Sequence, residues 1–204
     1  MIKIKDYYVP VNDSHFIEYL KRNDHYQEAQ RNRAISFVEN WGFAIDIGAN
    51  IGLWSKDLSN YFDKLVCFEP NPNCQDYLKK NINLDKSTIN PCALGEKEET
   101  KNLFIHPSNS GASSLVNKTK IGYQKDVGAI HGEFPTETEK KNVEVKKLDD
   151  FKYQKIDFIK IDVQGYELSV LKGAYKTLES NKPILCIEDD SPNDSSIISF
   201  LENL

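Results

Sequence analysis

The sequence predicts an α/β fold in which a mostly parallel sheet has helices on both faces. Short apolar runs suited to buried strands alternate along the chain with amphipathic segments of helical spacing. This alternation is typical of βαβ units, which build parallel sheets. The 204 residues are enough for one domain with a full core. Since no linker or internal repeat divides the chain, we expect residues 1–204 to form a single domain.

The individual elements follow from the same patterns. We expect strands over seven segments: 43–47, 64–69, 87–94, 100–106, 142–149, 156–163 and 183–188. We expect helices over six: 14–22, 25–41, 51–62, 72–83, 166–180 and 194–203. Pro91 is unfavourable inside a central strand, so the end of that strand should be an edge or a bulge.

Two regions differ from this regular alternation. Residues 1–41 are expected to form an N-terminal helical segment ahead of the sheet. Residues 107–142 are polar and rich in Gly, Ser, Lys and Thr. Long polar stretches inside a domain are commonly functional or mobile, so this one is expected to be an insertion or lid that faces the substrate.

Composition excludes several classes of protein. The net charge is −5 and the chain has no basic stripe, which argues against a nucleic-acid partner. No run approaches the roughly 18 apolar residues of a membrane span, and the N-terminus has no signal-peptide core. The four cysteines form no CxxC pair or zinc spacing, so we expect buried, reduced thiols in a cytoplasmic protein: Cys67, Cys74, Cys92 and Cys186.

The stretch IDIGANIG follows the first strand of the expected sheet. Glycines in a strand-to-helix turn allow a ligand to reach main-chain N–H groups at the helix N-terminus. A dinucleotide turn would read GxGxxG, whereas here Gly48 and Gly52 are four residues apart and Asp46 precedes them. An acidic strand end favours a ligand with a positive group and no pyrophosphate at this turn. S-adenosylmethionine has that chemistry, because it carries an ammonium and a sulfonium.

Glu69 is the second indication of a nucleoside ligand. It ends the second strand of the expected sheet, about 20 residues after the glycine turn. A carboxylate at this position can accept hydrogen bonds from both hydroxyls of a ribose diol. A tight turn followed by a helix cap remains the structural alternative for the glycines alone.

Six stretches now establish a resemblance: DIGANIG, CFEPNP, NPCALGE, SGASSL, KKLDD and FIKIDVQGYELSVLKGA. In this order, and over roughly residues 26–190, the chain resembles the FkbM-type family of S-adenosylmethionine-dependent methyltransferases. The resemblance implies a Rossmann-like class I methyltransferase sheet with S-adenosylmethionine as cofactor. It also implies methyl transfer, usually to a hydroxyl oxygen of a sugar or another natural product.

The resemblance also implies roles for individual residues. Four would line the methionine part of the cofactor: Asp46, Gly48, Asn50 and Gly52. Glu69 would hold the ribose. Five would shape or border the adenine side: Pro70, Asn71, Cys92, Ala93 and Leu94. Asp162 would lie next to the transferred methyl group.

The chain departs from the family pattern in two places. Gln164 stands where the family commonly has Glu, which puts in doubt any role that needs a charge there. The class usually ends with a β-hairpin after the fifth strand of its sheet, and only about sixteen residues follow PILCIE here. We therefore expect the sheet to lack this hairpin, either because the chain is a minimal version of the class, or because it is truncated, or because a partner covers the edge. An exposed edge strand has unpaired main-chain N–H and C=O groups that can pair with a strand of another chain, so a homodimer is expected.

An alcohol acceptor must lose a proton as the new bond forms, which requires a base. Asp162 is the first candidate, although it could instead cap the following helix. Lys160 lies two residues earlier on the same face of the strand, and pairing with it would make Asp162 a weaker base. Glu188 and Glu167 are further candidates, and His131 could reach the site from the insertion.

The remaining candidates concern the acceptor and a metal. Ser110, Ser113 and Ser114 in the SGASSL stretch are expected to help bind the acceptor, and so are Gln164 and Glu167. The acidic run 188–190 together with Asp162 could gather a magnesium ion, but such a run is more often a solvated turn, and we assign no metal.

Two other functional classes stay open. A nicotinamide-dependent oxidoreductase could use a similar sheet, but the third glycine of GxGxxG and a recognisable hydride-transfer pair are missing. A non-catalytic protein that binds S-adenosylmethionine would fit the shortened sheet and Gln164.

The DVQGY stretch differs from the Asn/Asp-Pro-Pro-Tyr turn of many N-methyltransferases, so transfer to oxygen is favoured. The acceptor itself is expected to be a small-molecule or glycan hydroxyl.

Overall fold

A computed structural model describes residues 1–117, 138–189 and 196–204. The chain begins with an antiparallel hairpin of β1 (Ile2–Ile4) and β2 (Tyr7–Val9), which the sequence analysis did not predict. Helix α1 (Ser14–Arg22) follows with the predicted bounds, and α2 covers only Glu28–Ile35 of the predicted 25–41. Segment 1–41 thus contains the two expected helices, the second of them shorter than predicted, and begins with a hairpin that was not expected. The chain leaves the helical path after Ile35, and Trp41 packs its ring on Phe62.

The central sheet has five parallel strands, as predicted. Their spatial order is β10-β9-β3-β4-β5. The strands are β3 (Phe43–Ile47), β4 (Lys64–Phe68), β5 (Ser87–Asn90), β9 (Phe158–Ile161) and β10 (Ile184–Ile187). Strands β3, β4 and β9 are almost fully buried because both faces of the sheet are covered.

Helices cover both faces of this sheet. They are α3 (Leu53–Tyr61), α4 (Pro72–Asn81), α5 (Glu167–Gly173), α6 (Tyr175–Asn181) and α7 (Ser196–Glu202). On one face, Leu58 of α3 and Leu78 of α4 share a core with Ala44 and Phe158. On the other face, α5 and α6 pack on residues such as Ile45, and α7 lies at the margin of that core.

The predicted helix 166–180 is divided into α5 and α6 at Ala174. Asp149 explains the division, because its carboxylate accepts from Thr177 N and Oγ1 at 2.8 Å each and from Lys176 N at 3.2 Å. These bonds satisfy N–H groups at the start of a new helix. The partner residue lies 28 positions earlier in the chain, so local periodicity could not reveal the break.

A second, three-stranded sheet lies beside the first, in the order β6-β8-β7. Its strands are β6 (Ala93–Leu94), β7 (Glu99–Ile105) and β8 (Glu139–Lys146). The predicted strand 87–94 is thus two strands, and the Pro91 region separates the edge strand β5 from β6. The expected insertion 107–142 overlaps β8 at its C-terminal end. Residues 118–137 of that insertion lie outside the described part of the chain.

In the described residues, β5 and β10 form the two edges of the five-stranded sheet, and α2 packs against β10. The described residues after β10 form α7, without an added hairpin. Across the described ranges, no helix is long and apolar enough to span a membrane.

Candidate active site

A cavity of about 370 Å³ opens at the carboxyl ends of the parallel strands. Ligands bind at this edge in open α/β sheets, since the loops after successive strands diverge there. The wall contains residues that follow β3, β4, β9 and β10: Asn50, Glu69, Asp162 and Glu188. It also contains residues from α1 and from the turn near Ser110, which close the side away from the sheet.

The two glycines of the turn after β3 are required by contacts within the protein itself. Gly48 has φ +81°, and a Cβ atom there would lie 1.9 Å from the main-chain oxygen of Asp162. A Cβ atom at Gly52 would lie 2.8 Å from Leu78 Cδ1 of α4. The turn therefore packs closely against β9 and α4, and this packing holds Asn50 at the edge of the cavity.

Glu69 lies on the cavity wall with both carboxylate oxygens held by main-chain donors. Asn50 N donates to Oε2 at 2.6 Å, and Asn71 N donates to Oε1 at 2.7 Å. Because a carboxylate oxygen can accept two hydrogen bonds, each oxygen keeps an acceptor site for a ligand. The two main-chain bonds fix the orientation of the side chain before any ligand arrives.

Burial raises the pKa of Glu69 to about 7. The main-chain N–H groups of Asn71 and Asn50 act in the opposite direction, since they stabilise the ionised form. A diol or a positive charge at this carboxylate would favour ionisation further. Ligand binding at Glu69 should therefore be coupled to loss of a proton near neutral pH.

Asp46 lies beneath the cavity and does not border it. Its Oδ2 accepts from Ser55 Oγ at 2.5 Å, and Lys160 Nζ lies 3.4 Å from its Oδ1. The same ammonium lies 3.3 Å from Asp162 Oδ2. Lys160 is thus a buried cation shared by two carboxylates, one under the cavity and one on its wall.

Asp162 and Glu188 come together through Gln164, whose Nε2 lies 3.2 Å from Asp162 Oδ1 and 2.5 Å from Glu188 Oε2. Burial would raise the pKa of Asp162, but the Lys160 ammonium and hydrogen bonds from Glu188 and Gln164 outweigh burial and lower it. The Gln164 amide is therefore a donor that bridges two carboxylates. A third carboxylate at this position would repel both.

Glu167 and Ser114 hold the turn after β9 in place. Glu167 is buried, and its Oε1 accepts from Val163 N at 3.0 Å and from Gly165 N at 3.1 Å. Burial raises the pKa of Glu167. Ser114 Oγ donates to Gln164 O at 2.7 Å. Both side chains act on the main chain that presents Gln164 and Asp162.

The structure brings most of the predicted site residues together around one cavity. Those on its wall are Gly48, Asn50, Glu69, Pro70, Asn71, Cys92, Ala93, Leu94, Ser110, Ser113, Ser114, Asp162, Gln164 and Glu188. Asp46, Gly52 and Glu167 lie behind it. His131 and Asp190 fall outside the described residues. Within the described ranges, no group of three or more His, Cys, Asp and Glu side chains is placed to hold a metal ion.

The N-terminal segment contributes wall residues that the sequence analysis did not name individually, among them His15, Tyr19, Tyr26 and Gln27. Burial, followed by the negative charge of Asp162, raises the pKa of Tyr26 above its usual range, which places this phenol near the carboxylates. His15 and Tyr19 are four residues apart in α1 and so share one face. That spacing could have indicated that His15 and Tyr19 lie on the same face of the helix. It does not show whether that face lines a cavity or packs in the hydrophobic core.

The main chain around Tyr26 is anchored by a buried ion pair. Arg31 is 2% exposed, and its Nη2 lies 3.0 Å from Asp57 Oδ2 of α3. Arg31 Nη1 also donates to Tyr26 O at 2.8 Å. The segment between α1 and α2 is thus fixed to the helix that follows the glycine turn.

This fold and this site define a Rossmann-like α/β protein with its cleft at the carboxyl edge of a parallel sheet. The profile of the Methyltransferase FkbM domain matches residues 46–204, and the chain belongs to this family. The matched region contains the glycine turn, Glu69 and the Asp162–Glu188 cluster. Residues 1–45, which supply Tyr19 and Tyr26, precede it.

Two curated relatives and one solved structure illustrate the range of similar proteins. Methyltransferase sdnD of Sordaria araneosa is 32% identical over an alignment of 154 residues that covers 64% of this chain and 60% of the relative. Hexuronic acid methyltransferase AglP of Haloferax volcanii is 27% identical over 135 residues, 66% of this chain and 51% of the relative. The chain thus spans about half to three fifths of these relatives. The crystal structure of Methyltransferase FkbM from Methylobacillus flagellatus KT has a TM-score of 0.49 at 21% identity, covering 79% of this chain and 36% of that one.

Proposed function

We propose that the protein is an S-adenosylmethionine-dependent methyltransferase that methylates a hydroxyl oxygen of a sugar or another small natural product. The observation that supports it best is Glu69, a buried carboxylate on the cavity wall with both oxygens pre-oriented by main-chain N–H groups. This arrangement suits the two hydroxyls of a ribose. Membership of the FkbM methyltransferase domain family supports the same proposal.

The charge of the cavity suits the same cofactor. Among the described residues on the wall, Lys160 is the one lysine or arginine, against the carboxylates of Glu69, Asp162 and Glu188. A ligand with a sulfonium and an ammonium would compensate this excess of negative charge. A pyrophosphate would add to it, which counts against a nicotinamide dinucleotide and the oxidoreductase alternative.

Bound S-adenosylmethionine would supply a methyl group on a sulfonium leaving group, so the protein has chiefly to align the acceptor and remove its proton. Glu69 would bind the ribose at one end of the cavity. Asp162 and Glu188 would lie at the other end, beside the acceptor. Because Lys160 lowers the pKa of Asp162, Asp162 is a weak base. Glu188 is the second candidate to accept the proton once its own carboxyl group is ionised, and Gln164 orients both side chains. His131 remains a further candidate for this role.

The acceptor belongs to the same proposal. The name of the Haloferax volcanii relative, a hexuronic acid methyltransferase, supports a sugar-like acceptor. Aromatic side chains such as Tyr19 and Tyr26 offer faces for the apolar side of a sugar ring, and Ser110 and Ser113 offer hydroxyls. The proposal places the reaction in the cytoplasm, on a small molecule or glycan, in a homodimer that binds neither nucleic acid nor membrane.

The first experiment measures S-adenosylmethionine binding by isothermal titration calorimetry on the wild type, Glu69→Gln and Glu144→Gln. Glu69→Gln keeps the size of the side chain but removes its charge and one acceptor, so affinity should fall at least about tenfold. Glu144 lies exposed on β8 and pairs with Lys146 at the surface, so Glu144→Gln should bind like the wild type.

A parallel titration with NAD separates the alternatives. Binding of S-adenosylmethionine without NAD binding supports the proposal, and the reverse supports the oxidoreductase. A non-catalytic protein would bind S-adenosylmethionine but form no S-adenosylhomocysteine with any of a panel of sugar and polyol acceptors. Absence of S-adenosylmethionine binding to the folded wild type would overturn the proposal.

A further inference from the structure

A chain of hydrogen bonds joins the N-terminal segment to the carboxylate of Glu69. Ser110 N and Oγ lie 2.9 and 2.7 Å from Asp13 Oδ2. Ser110 Oγ also lies 3.0 Å from the side-chain amide of Asn50. Because the single hydroxyl proton of Ser110 goes to Asp13, this contact is a hydrogen bond when the amide presents Nδ2 to Ser110 Oγ. Asn50 N in turn donates to Glu69 Oε2 at 2.6 Å. Four residues from widely separated parts of the sequence thus form one continuous polar connection that ends at the cavity.

Asp13 does more in this connection than cap a helix. Its Oδ1 accepts from Phe16 N at 3.0 Å, which is the ordinary N-cap bond of α1. A cap needs only one acceptor oxygen, and Ser would serve as well. Asp13 is 2% exposed, and burial of a second carboxylate oxygen is costly unless it is hydrogen-bonded. That second oxygen is the one that receives both bonds from Ser110.

Ser110 stands where its position affects the shape of the site. A second cavity of about 350 Å³ lies on the side of Asp13, and Ser110, Asn109 and Asn71 border both cavities. The turn around Ser110 is therefore the partition between them. Movement of this turn would widen the main cavity and release Asn50, which is held in a left-handed conformation with φ +50°.

We propose that Asp13 is a positioning residue for the cofactor: it holds Ser110 against Asn50 and thereby fixes the Asn50 N–H on Glu69. Asp13 touches neither the main cavity nor any reacting group, and it precedes the region that matches the family. The inference rests on the proposed function, because it concerns the affinity for S-adenosylmethionine. It makes part of the N-terminal segment a component of the cofactor site.

The test is a double-mutant cycle with Asp13→Ser, Ser110→Ala and the double variant, read as the Kd of S-adenosylmethionine by calorimetry. Asp13→Ser keeps a good N-cap for α1 but is too short to reach Ser110. Asp13→Ser releases Ser110, whereas Ser110→Ala deletes the hydroxyl that meets Asn50 and keeps the main-chain bond to Asp13. Both changes break the connection to Asn50, so each should weaken binding by about fivefold, the value of one hydrogen bond. The double variant should be no weaker than either single variant, because the interaction is already lost.

Asn12→Ala is the matched control. Asn12 Nδ2 donates to Pro107 O at 2.9 Å, so this variant removes another bond between the same two segments without touching Ser110. It should bind like the wild type, and thermal unfolding of the ligand-free variants checks that each is folded. Independent, additive losses, an equal loss in Asn12→Ala, or unchanged affinity in Asp13→Ser would each overturn the inference. If the wild type itself fails to bind S-adenosylmethionine, the proposed function fails instead.

Discussion

Asp46 and Lys160 lie directly opposite each other on the neighbouring strands β3 and β9, and their charged groups are 3.4 Å apart in the interior. Lys160 is 5% exposed and Asp46 is fully buried. The ammonium also lies 3.3 Å from Asp162, and Ser55 satisfies the other oxygen of Asp46. A single buried cation therefore balances the carboxylate below the cavity and the one on its wall.

Replacing Lys160 with Met should destabilise the protein by about 3–5 kcal/mol, because Asp46 and Asp162 would be left buried without their cation. The loss should be greatest at neutral pH. Without Lys160 the pKa of Asp162 rises, so this carboxyl group becomes neutral as the pH falls. Chemical denaturation from pH 4 to pH 8 measures the difference in unfolding free energy between variant and wild type.

The double variant Lys160→Met/Asp46→Asn is the control for this prediction. It removes one of the two buried carboxylates that lack a cation, and it should recover part of the lost unfolding free energy. An amide costs less free energy to bury than a carboxylate. A loss in Lys160→Met that is independent of pH would contradict the electrostatic explanation and indicate a packing defect.

Gly48→Ala should be far more destabilising than Gly165→Ala, although both glycines have positive φ, +81° and +96°. A left-handed conformation costs a non-glycine residue about 1–2 kcal/mol in either place. At Gly48 the added Cβ would also lie 1.9 Å from the main-chain oxygen of Asp162, whereas at Gly165 the nearest atom is 3.8 Å away. We expect at least about 2 kcal/mol of additional loss at Gly48 in urea unfolding. Equal losses would show that backbone conformation alone requires Gly48.

The sheet and much of the cavity wall were predictable because their signals are local. The FAIDI run is a strand with the predicted bounds, and its apolar composition follows from burial on both faces. Glu69 and Asp162 follow strands, and the carboxyl ends of parallel strands meet at one edge. The explanation of the glycines was incomplete. The sequence analysis assigned them to a ligand, but the close contacts at Gly48 and Gly52 are with Asp162 and Leu78.

The parts that sequence could not predict depend on contacts between distant residues. Asp13 was not singled out by the sequence analysis, and its bond to Ser110 spans 97 positions. The division between α5 and α6 depends on Asp149, which lies 28 positions before its partner Thr177 in the sequence. Tyr26 was placed in a helix by its spacing, whereas its place on the cavity wall depends on the Arg31–Asp57 pair. Spacing along the chain predicts which residues lie on the same face of a helix. It does not predict which other parts of the protein that face contacts.

Glu69 should make both stability and cofactor binding depend on pH near 7. Burial raises the pKa of its carboxyl group from 4.5 to about 7, so the folded state prefers the neutral form. The stabilisation by the neutral form is complete below pH 4.5 and is lost as the pH rises through 7. Relative to Glu69→Gln, the wild type should lose up to about 3 kcal/mol of unfolding free energy across this range. Denaturant titrations of both proteins between pH 4 and pH 8 measure this loss.

Binding should change in the opposite direction, because a ribose diol and a positive ligand favour the ionised carboxylate. Between pH 6 and pH 8, the affinity of the wild type for S-adenosylmethionine should rise about tenfold relative to Glu69→Gln, as the ionised fraction of a group with a pKa near 7 rises by that factor. The comparison of the two proteins cancels the titration of the amino group of the ligand. Calorimetry in buffers of different ionisation enthalpy should also show more proton release on binding to the wild type than on binding to Glu69→Gln. A ratio of affinities that stays constant from pH 6 to pH 8 would mean that Glu69 is already ionised in the free protein or does not meet the cofactor.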